Sequence, residues 1–321
     1  MDLGNIIKSQ EFLFNTAPFR ECHASTIVES EEGSFWVSFF AGTNEGSKDV
    51  GIWMIKKKGN LWTHPKKVAW DREAACWIPV LFKDSEGKIY LFYKIGDSPE
   101  SWSAAYTLSA YPYDGWSEPQ YLPAGLLGPT KNKPIVMSNG EMICGSSVES
   151  YKAWACWAEV FDGVNWSKFG PIFYEGVNKG VIQPSVVELS SGKLRMFMRS
   201  TEKIGRICMA DSLDYGRKWS RAKRTVLPNP NSGIDAVRLR SGIIILVYND
   251  SKTSRTPLSL AASDDEGETW RKIFNLESGR GEFSYPSLIQ ASDNSVHVTY
   301  TWKRRRIRHM VLNAEGIEDC F

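Results

Sequence analysis

The side chains best suited to catalysis or ligand binding lie just before a series of short apolar strands, or in the loops beside them. By type they are cations, amides, hydroxyls and aromatic rings, with one carboxylate. They are His23, Trp77, Lys131, Asn132, Lys133, Gln183, Ser232, Asp235 and Tyr285, with Arg199 and Arg255 from neighbouring loops. Guanidinium groups form paired hydrogen bonds with a carboxylate, and aromatic rings stack on the face of a pyranose. The set therefore suits a sugar that carries a carboxylate.

A repeat of about fifty residues positions these side chains. One series of turns contains a tryptophan every 50 to 54 residues: Trp62, Trp116, Trp166, Trp219 and Trp270. A second series, out of phase with the first, marks where short apolar strands begin: Ser25, Pro79, Pro134, Pro184, Asp235 and Pro286. Six such units account for nearly the whole chain. We therefore expect a single domain over residues 1–321.

Each unit contains about four short strands. Residues 88–93 and 243–248 are examples, since both are rich in β-branched and aromatic residues and are bounded by Gly, Asp or Ser. Four strands per repeat is the count of one propeller blade. The sequence therefore predicts an all-β fold, a six-bladed β-propeller. In a propeller the residues before each inner strand converge on the axis, which would bring the candidate side chains together.

The chain ends indicate how the propeller closes. The last unit stops at Phe321, before the fourth strand that the other units have, and residues 9–14 have the pattern of the missing strand. We expect the N-terminal strand to complete the last blade, which would also remove an open sheet edge.

Two of the tryptophan turns share a longer motif. Residues 263–270 (SDDEGETW) match the pattern S-x-D-x-G-x-T-W at every position, and residues 212–219 (SLDYGRKW) depart from it only at Lys218. The Asp carboxylate can accept backbone N–H bonds, Gly can adopt a positive φ, and Trp anchors the turn. This motif is the Asp box, or bacterial neuraminidase repeat. We expect Asp214 and Asp265 to serve the turn rather than catalysis.

With these motifs the chain resembles the sialidase superfamily over its whole length. Sialidases bind the substrate carboxylate with three arginines, and Arg199 and Arg255 match the second and third by their places relative to the Asp boxes. Tyr285, in the segment FSYPS, matches the nucleophile that opens the inner strand of the last blade. The resemblance implies a glycosidase.

Three positions depart from the family pattern. His23 stands near the place of the first arginine, with Arg20 just outside it. Gln183 replaces the glutamate that activates the tyrosine, and a carboxamide cannot act as a base. The acid/base aspartate has no clean match, and the loop of residues 42–49 offers Glu45 and Asp49 instead.

Several candidates also have a purely structural interpretation. Arg199 and Arg255 would then each pair with a carboxylate of the blade, and His23 and Tyr285 would pack beside an inner strand. Lys131 and Lys133 alternate around Asn132, which places both on one side of the chain, either in the pocket or outside it. Glu45 and Asp49 would be ordinary turn carboxylates.

Three functions remain open from the sequence. The first is a sialidase-like exo-glycosidase on an acidic sugar, with Tyr285 as nucleophile or charge stabiliser and Glu45 or Asp49 as acid/base. The second is a lyase on a uronate-containing glycan, with His23 or Tyr285 as the base. The third is a propeller that binds glycans without catalysis. We expect the partner to be an acidic oligosaccharide or a sugar acid.

The amino-acid composition bears on which ligands and partners the protein can bind. The net charge is +2, so no overall field favours nucleic acid or a membrane. The six cysteines are scattered without a C-x-x-C pair, which predicts free thiols and no zinc site. No other metal or cofactor motif is visible. No secretory signal precedes the first repeat, so we expect a cytoplasmic protein.

Overall fold

A computed structural model describes residues 3–321 of the chain. The polypeptide forms six sheets, and the chain is an all-β, six-bladed β-propeller. It divides into two compact units: unit 1 comprises the described residues up to Leu127 together with Tyr285–Asp319, and unit 2 comprises Gly128–Ser284 and Cys320–Phe321. Among residues 3–321, no helix has the length and apolar character needed to cross a membrane.

The N-terminal part of unit 1 holds one strand of a shared blade and two further blades. A 3₁₀ turn at Leu3–Asn5 precedes β1 (Ile7–Phe12). The next blade consists of β2 (Glu21–Glu31), β3 (Ser34–Gly42), β4 (Gly51–Lys58), β5 (Leu61–Trp62) and β6 (Lys66–Ala69). The following blade consists of β7 (Cys76–Lys83), β8 (Ile89–Ile95), β9 (Ser103–Ser109) and β10 (Gln120–Tyr121), with a 3₁₀ turn at Pro99–Ser101.

Unit 2 contains three blades of four strands each. The first has β11 (Ile135–Val136), β12 (Met142–Glu149), β13 (Trp154–Phe161) and β14 (Trp166–Ile172). The second has β15 (Val181–Ser190), β16 (Lys193–Ser200), β17 (Arg206–Ser212) and β18 (Lys223–Pro228). The third has β19 (Asp235–Arg238), β20 (Ile244–Asn249), β21 (Leu258–Ser263) and β22 (Arg271–Glu277). Strands that follow one another pair antiparallel, as expected for short turns.

The N-terminal strand completes the last blade, as the truncated final repeat predicts. That blade consists of β23 (Phe283–Gln290), β24 (Ser295–Trp302) and β25 (Arg306–Asn313), followed by the short helix α1 (Ala314–Glu318). Strand β1 pairs antiparallel with β25, and Gln10 lies opposite Met310. The strand begins two residues earlier than the pattern of residues 9–14 suggests.

The first strand of several blades is bent near its start. In unit 1 the bend residues are Ala24, Ile78 and Tyr285, with φ values of 54°, 42° and 53°, and in unit 2 one bend residue is Gln183, at 51°. Bulky residues rarely adopt a positive φ, and the pairing of β2, β7 and β15 with the next strand slips at this point.

These bends correct the predicted strand starts. Strands β7, β15 and β23 begin at Cys76, Val181 and Phe283, a few residues before the prolines that were taken to mark them. Proline has no N–H to donate, so it fits at a bulge inside a strand where the ladder is already interrupted. The sequence signal therefore marks the bend and not the end of the strand.

The Asp boxes are hydrogen-bonded turns in unit 2. The Asp265 carboxylate accepts hydrogen bonds from the Ser263 hydroxyl (2.7 Å), the Thr269 N–H (2.9 Å) and the Thr269 hydroxyl (2.6 Å). Arg195 of the preceding blade donates to the carbonyl of Glu266 in this turn (2.8 Å) and pairs with Glu268. The motif therefore joins two blades, which agrees with its structural interpretation.

Replacement of Asp265 by Asn should destabilise the fold without changing ligand binding. The amide keeps one acceptor oxygen but loses the charge and one of the accepting oxygens, at a cost of about 1–2 kcal/mol for a half-buried group. Urea unfolding measures this loss. Asp264→Asn, an exposed change in the same turn, is the matched control, and an unchanged midpoint for Asp265→Asn would refute the structural role.

Candidate functional site

Two arginines of unit 2 meet at one asparagine. Arg199, at the end of β16, donates from Nε to Asn231 Oδ1 (2.9 Å) and from Nη1 to Gln183 Oε1 (2.9 Å). Arg255 donates from Nη2 to the Asn231 carbonyl (3.4 Å). Although 56 positions separate these arginines in the sequence, Asn231 contacts both of their guanidinium groups.

A buried asparagine fixes the loop that carries Asn231. Asn229 accepts N–H bonds from Ser200 (3.3 Å) and Ser232 (3.2 Å) and donates to the Ser232 carbonyl (2.9 Å). Asn231 itself has a φ of 58°, a conformation that Asn tolerates better than most residues. The loop is thus tied to the end of β16, next to Arg199.

The two arginines differ in their charged partners. Arg255 forms an ion pair with Glu282 (2.8 Å), whose carboxylate also accepts the Ser284 hydroxyl (2.7 Å). This contact matches the structural interpretation of Arg255. Arg199 donates to two side-chain amides, and its charge also acts on the carboxyl of Glu149.

Two lysines of the first blade of unit 2 reach one short segment at the start of β19, in the third blade of that unit. Lys131 Nζ donates to the Ile234 carbonyl (2.7 Å) and to Asn132 Oδ1 (2.9 Å), whereas Lys133 Nζ pairs with Asp235 (3.1 Å). Burial lowers the pKa of Lys131 to about 7; the carboxylate of Asp235 opposes this shift, and the cations Lys133 and Arg199 add to it.

Amide contacts connect these lysines to the arginine pair. Asn132 Nδ2 donates to the Gln183 carbonyl (3.1 Å), and the Gln183 N–H donates to the Ser147 hydroxyl (3.2 Å). Asp235 accepts the Ser185 hydroxyl (3.0 Å) in addition to its ion pair. Unit 2 therefore brings together Lys131, Lys133, Gln183, Arg199, Asp235 and Arg255 of the predicted set.

A carboxyl that the sequence analysis missed belongs to the same cluster. Glu149 ends β12, and burial raises its pKa above the ordinary value although the charge of Arg199 opposes the shift. It precedes Arg199 by 50 residues, so both occupy the end of the second strand in successive blades. The repeat length was the signal that could have identified it.

Unit 1 places His23 and Tyr285 in contact. Their ring centroids lie 4.2 Å apart at an interplanar angle of 51°, and Phe40 packs edge-on against the imidazole at 5.6 Å. Tyr285 is 7% exposed and His23 is 2% exposed. Both residues lie at strand bends, which direct their side chains away from the regular alternation of the strand.

The other candidates of unit 1 have clear structural contacts. Asp49 accepts the N–H and the hydroxyl of Thr43 (2.8 and 2.9 Å), which closes the loop of residues 43–49. Glu45 pairs with Arg304 (2.5 Å). Trp77 is buried and donates from its indole N–H to the Gly96 carbonyl (2.7 Å).

Removal of the Lys131 amine should change how stability depends on pH. The pKa of Lys131 is about 7 in the folded protein and near 10.5 in the unfolded chain, so between these values the unfolded state binds more protons. The lysine therefore destabilises the fold most below pH 7, and this penalty disappears as the pH rises towards 10.

Urea unfolding from pH 6 to 10 tests this pH dependence. Lys131→Met should gain most over wild type at pH 6, and the gain should shrink steadily with rising pH. Lys218→Met, at an exposed position of the same unit, is the control and should follow the wild-type curve. A constant difference between Lys131→Met and wild type would show that Lys131 keeps its proton throughout.

Comparison with known proteins identifies the family of the chain. Residues 33–298 match the family described as BNR repeat-like domain. A sialidase of Micromonospora viridifaciens is 26% identical over 140 residues, which is 39% of this chain and 21% of that protein. The matched part thus spans about a fifth of the sialidase.

Solved structures share the fold at low sequence identity. A protein of unknown function from Dyadobacter fermentans has a TM-score of 0.79 at 17% identity and covers 96% of this chain and 99% of its own. A Hadza microbial sialidase has a TM-score of 0.78 at 16% identity, with 92% and 66% covered. The NanB sialidase of Streptococcus pneumoniae has a TM-score of 0.75 at 12% identity, with 95% and 70% covered. Together with the Asp boxes and the six blades, these matches show that the chain belongs to the BNR repeat-like domain family of the sialidase superfamily.

Proposed function

We propose that this protein is a sialidase-like glycosidase that acts on a sugar bearing a carboxylate. The observation that carries the proposal is the meeting of Arg199 and Arg255 at Asn231. Planar guanidinium groups held in fixed positions bind a carboxylate through paired, charge-assisted hydrogen bonds. The superfamily resemblance of the chain supports the same assignment.

Charge in the cluster favours an anionic ligand. Gln183 binds Arg199 through a neutral amide, and Lys131 is buried beside Lys133. A carboxylate that displaces water from these groups would gain ion pairs in a partly desolvated place, where they are stronger than at an exposed surface. The four cationic side chains of the cluster outnumber its three carboxyl groups, which are Asp235, Glu282 and Glu149.

The chemical step requires a proton donor and a group that stabilises the oxocarbenium-like transition state. We assign the donor to Glu149, because its raised pKa keeps the carboxyl protonated to higher pH than an ordinary glutamate. Asp49 and Glu45 are weaker candidates, since one closes a turn and the other pairs with Arg304. The family resemblance assigns the role of nucleophile or charge stabiliser to Tyr285, whose ring packs against that of His23 in unit 1.

A uronate lyase is the second candidate. The contact between His23 and Tyr285 favours it, because β-elimination needs a base for the α-proton and an acid for the leaving oxygen. Gln183 also favours it, since the glutamate base of the sialidase pattern is absent at this position. The carboxylate-binding role of Arg199 is the same in both reactions.

Arg199→Ala should weaken the binding of an acidic sugar by about 2–5 kcal/mol, the usual loss when one partner of a desolvated ion pair is truncated. Calorimetry with N-acetylneuraminic acid and galacturonic acid, each compared with its alcohol in which the carboxylate is reduced, measures the effect. The alcohols should bind the variant and wild type alike.

Two further variants complete this experiment. Arg199→Lys should recover little affinity, because an ammonium cannot reproduce the paired bonds of a guanidinium. Arg238→Ala, an exposed change in the same unit, is the control. Equal losses for acid and alcohol would contradict carboxylate binding at Arg199.

Product analysis separates the candidate reactions. Hydrolysis should release a saturated free sugar, and Glu149→Gln should lower kcat at least about 100-fold, the lower range for loss of a general acid. Glu175→Gln, an exposed change, is the control. A product that absorbs in the near ultraviolet, lost in His23→Gln and kept in Glu149→Gln, would establish the lyase instead. If the protein binds the sugar but forms no product, its function would be to bind glycans without catalysis.

A further inference from the structure

A second cationic region lies next to the arginine pair in unit 2. It is a cleft of about 620 Å³, within the usual range of small-ligand sites. We call it the lysine cleft and define it by Lys152, Trp154, Asn178, Lys179, Lys203 and Asn231. Three lysines and one glutamate, Glu202, are the charged residues of its lining, so the cleft favours anions.

Backbone contacts hold the walls of the lysine cleft. The Trp154 N–H donates to the Asn178 carbonyl (2.8 Å), and Trp154 forms a parallel bridge with Lys179. The hydroxyl of Thr201 donates to the Lys179 carbonyl (2.8 Å). These contacts join the three segments, and they fix the backbone positions from which the lysine side chains extend.

Aromatic rings accompany the lysines. Lys179 Nζ lies 5.6 Å from the ring centre of Tyr151 and 5.7 Å from that of Trp154, and Lys152 Nζ lies 4.9 Å from that of Tyr151. Tyr151 is 69% exposed. Exposed rings stack on the apolar faces of sugars, and ammonium groups bind their acidic substituents. The combination suits an acidic sugar better than a neutral one.

Asn231 connects the lysine cleft to the arginine pair. It lines the cleft and also accepts hydrogen bonds from both Arg199 and Arg255. A ligand whose carboxylate is bound at the arginines would therefore lie next to the cleft, with Asn231 between the two places. The cleft is positioned for the neighbouring unit of the same chain of sugars.

We propose that the lysine cleft binds a second acidic sugar, so that the substrate is an oligosaccharide with acidic groups on successive units. This proposal rests on the proposed function, because the first acidic group is the one bound by Arg199 and Arg255. It adds a preference for chains of acidic sugars over a single acidic residue on a neutral glycan.

The test compares one acidic unit with two. Calorimetry in 0.1 M salt uses N-acetylneuraminic acid and its α2,8-linked dimer, and galacturonic acid and its α1,4-linked dimer. For the acid whose monomer binds in an Arg199-dependent way, the dimer should bind wild type about tenfold more tightly. Lys152→Gln/Lys179→Gln should lose about three- to thirtyfold for the dimer, the range for two exposed ion pairs, and nothing for the monomer.

A charge-matched double variant is the control. Lys218→Gln/Lys223→Gln removes two exposed lysines from another part of unit 2 and should bind the dimer like wild type. The backbone carbonyl of Lys179 that accepts the Thr201 hydroxyl is present in every variant, so the cleft walls keep their contacts.

The outcomes distinguish a failure of this proposal from a failure of the proposed function on which it rests. Arg199-dependent binding of a monomer with no gain for its dimer would overturn the second acidic site alone. If neither monomer binds through Arg199, the proposed function falls and the lysine cleft proposal falls with it. A thymidine dinucleotide that competes with the dimer equally well would also overturn the choice of an acidic oligosaccharide.

Discussion

The bend near the start of a blade's first strand is the constraint on which the candidate site depends. In a regular strand, successive side chains point to opposite faces, and a residue with positive φ interrupts this alternation. Tyr285 and Gln183 occupy such bends, and each contacts a further candidate residue, His23 and Arg199 respectively. Positive φ costs a bulky residue about 1–3 kcal/mol, which glycine would avoid. Ala24 and Ile78 occupy the same bend as ordinary core residues, so it is their contacts that make Tyr285 and Gln183 candidates for the site.

A positive φ also occurs at Lys131 in unit 2, where it accompanies a shift in the pKa of the lysine. The buried amine of Lys131 reaches the carbonyl of Ile234 instead of solvent. Burial makes the charged form costly, so the pKa of Lys131 falls to about 7, and its charge becomes sensitive to a nearby anion. A bound carboxylate would favour the protonated amine, so ligand binding and protonation of Lys131 are coupled through charge.

The sequence predicts the blades better than it predicts the site. Tryptophan turns, Asp boxes and the truncated last repeat are periodic signals, and the structure confirms the number of blades and the pairing of β1 with β25. The starts of β7, β15 and β23 were misplaced because proline marks the bend and not the end of a strand, whereas β19 begins at Asp235 as predicted. Glu149 was missed because it ends a second strand, whereas the search followed residues before the first strands. The pKa shifts of Lys131 and Glu149 come from burial by distant residues, which local sequence patterns do not contain.

The amide at position 183 links these observations. A glutamate there would bind Arg199 as an ion pair, because the distance of 2.9 Å between Gln183 Oε1 and Arg199 Nη1 is that of a direct hydrogen bond. Such a carboxylate would neutralise part of the guanidinium charge and would compete with a ligand for it. The glutamine holds Arg199 in place and leaves its charge to act on its other neighbours, Glu149 and Lys131. Because the amide cannot accept a proton, the proposed reaction would need another group for proton transfer, and the raised pKa of Glu149 makes that carboxyl the candidate in unit 2.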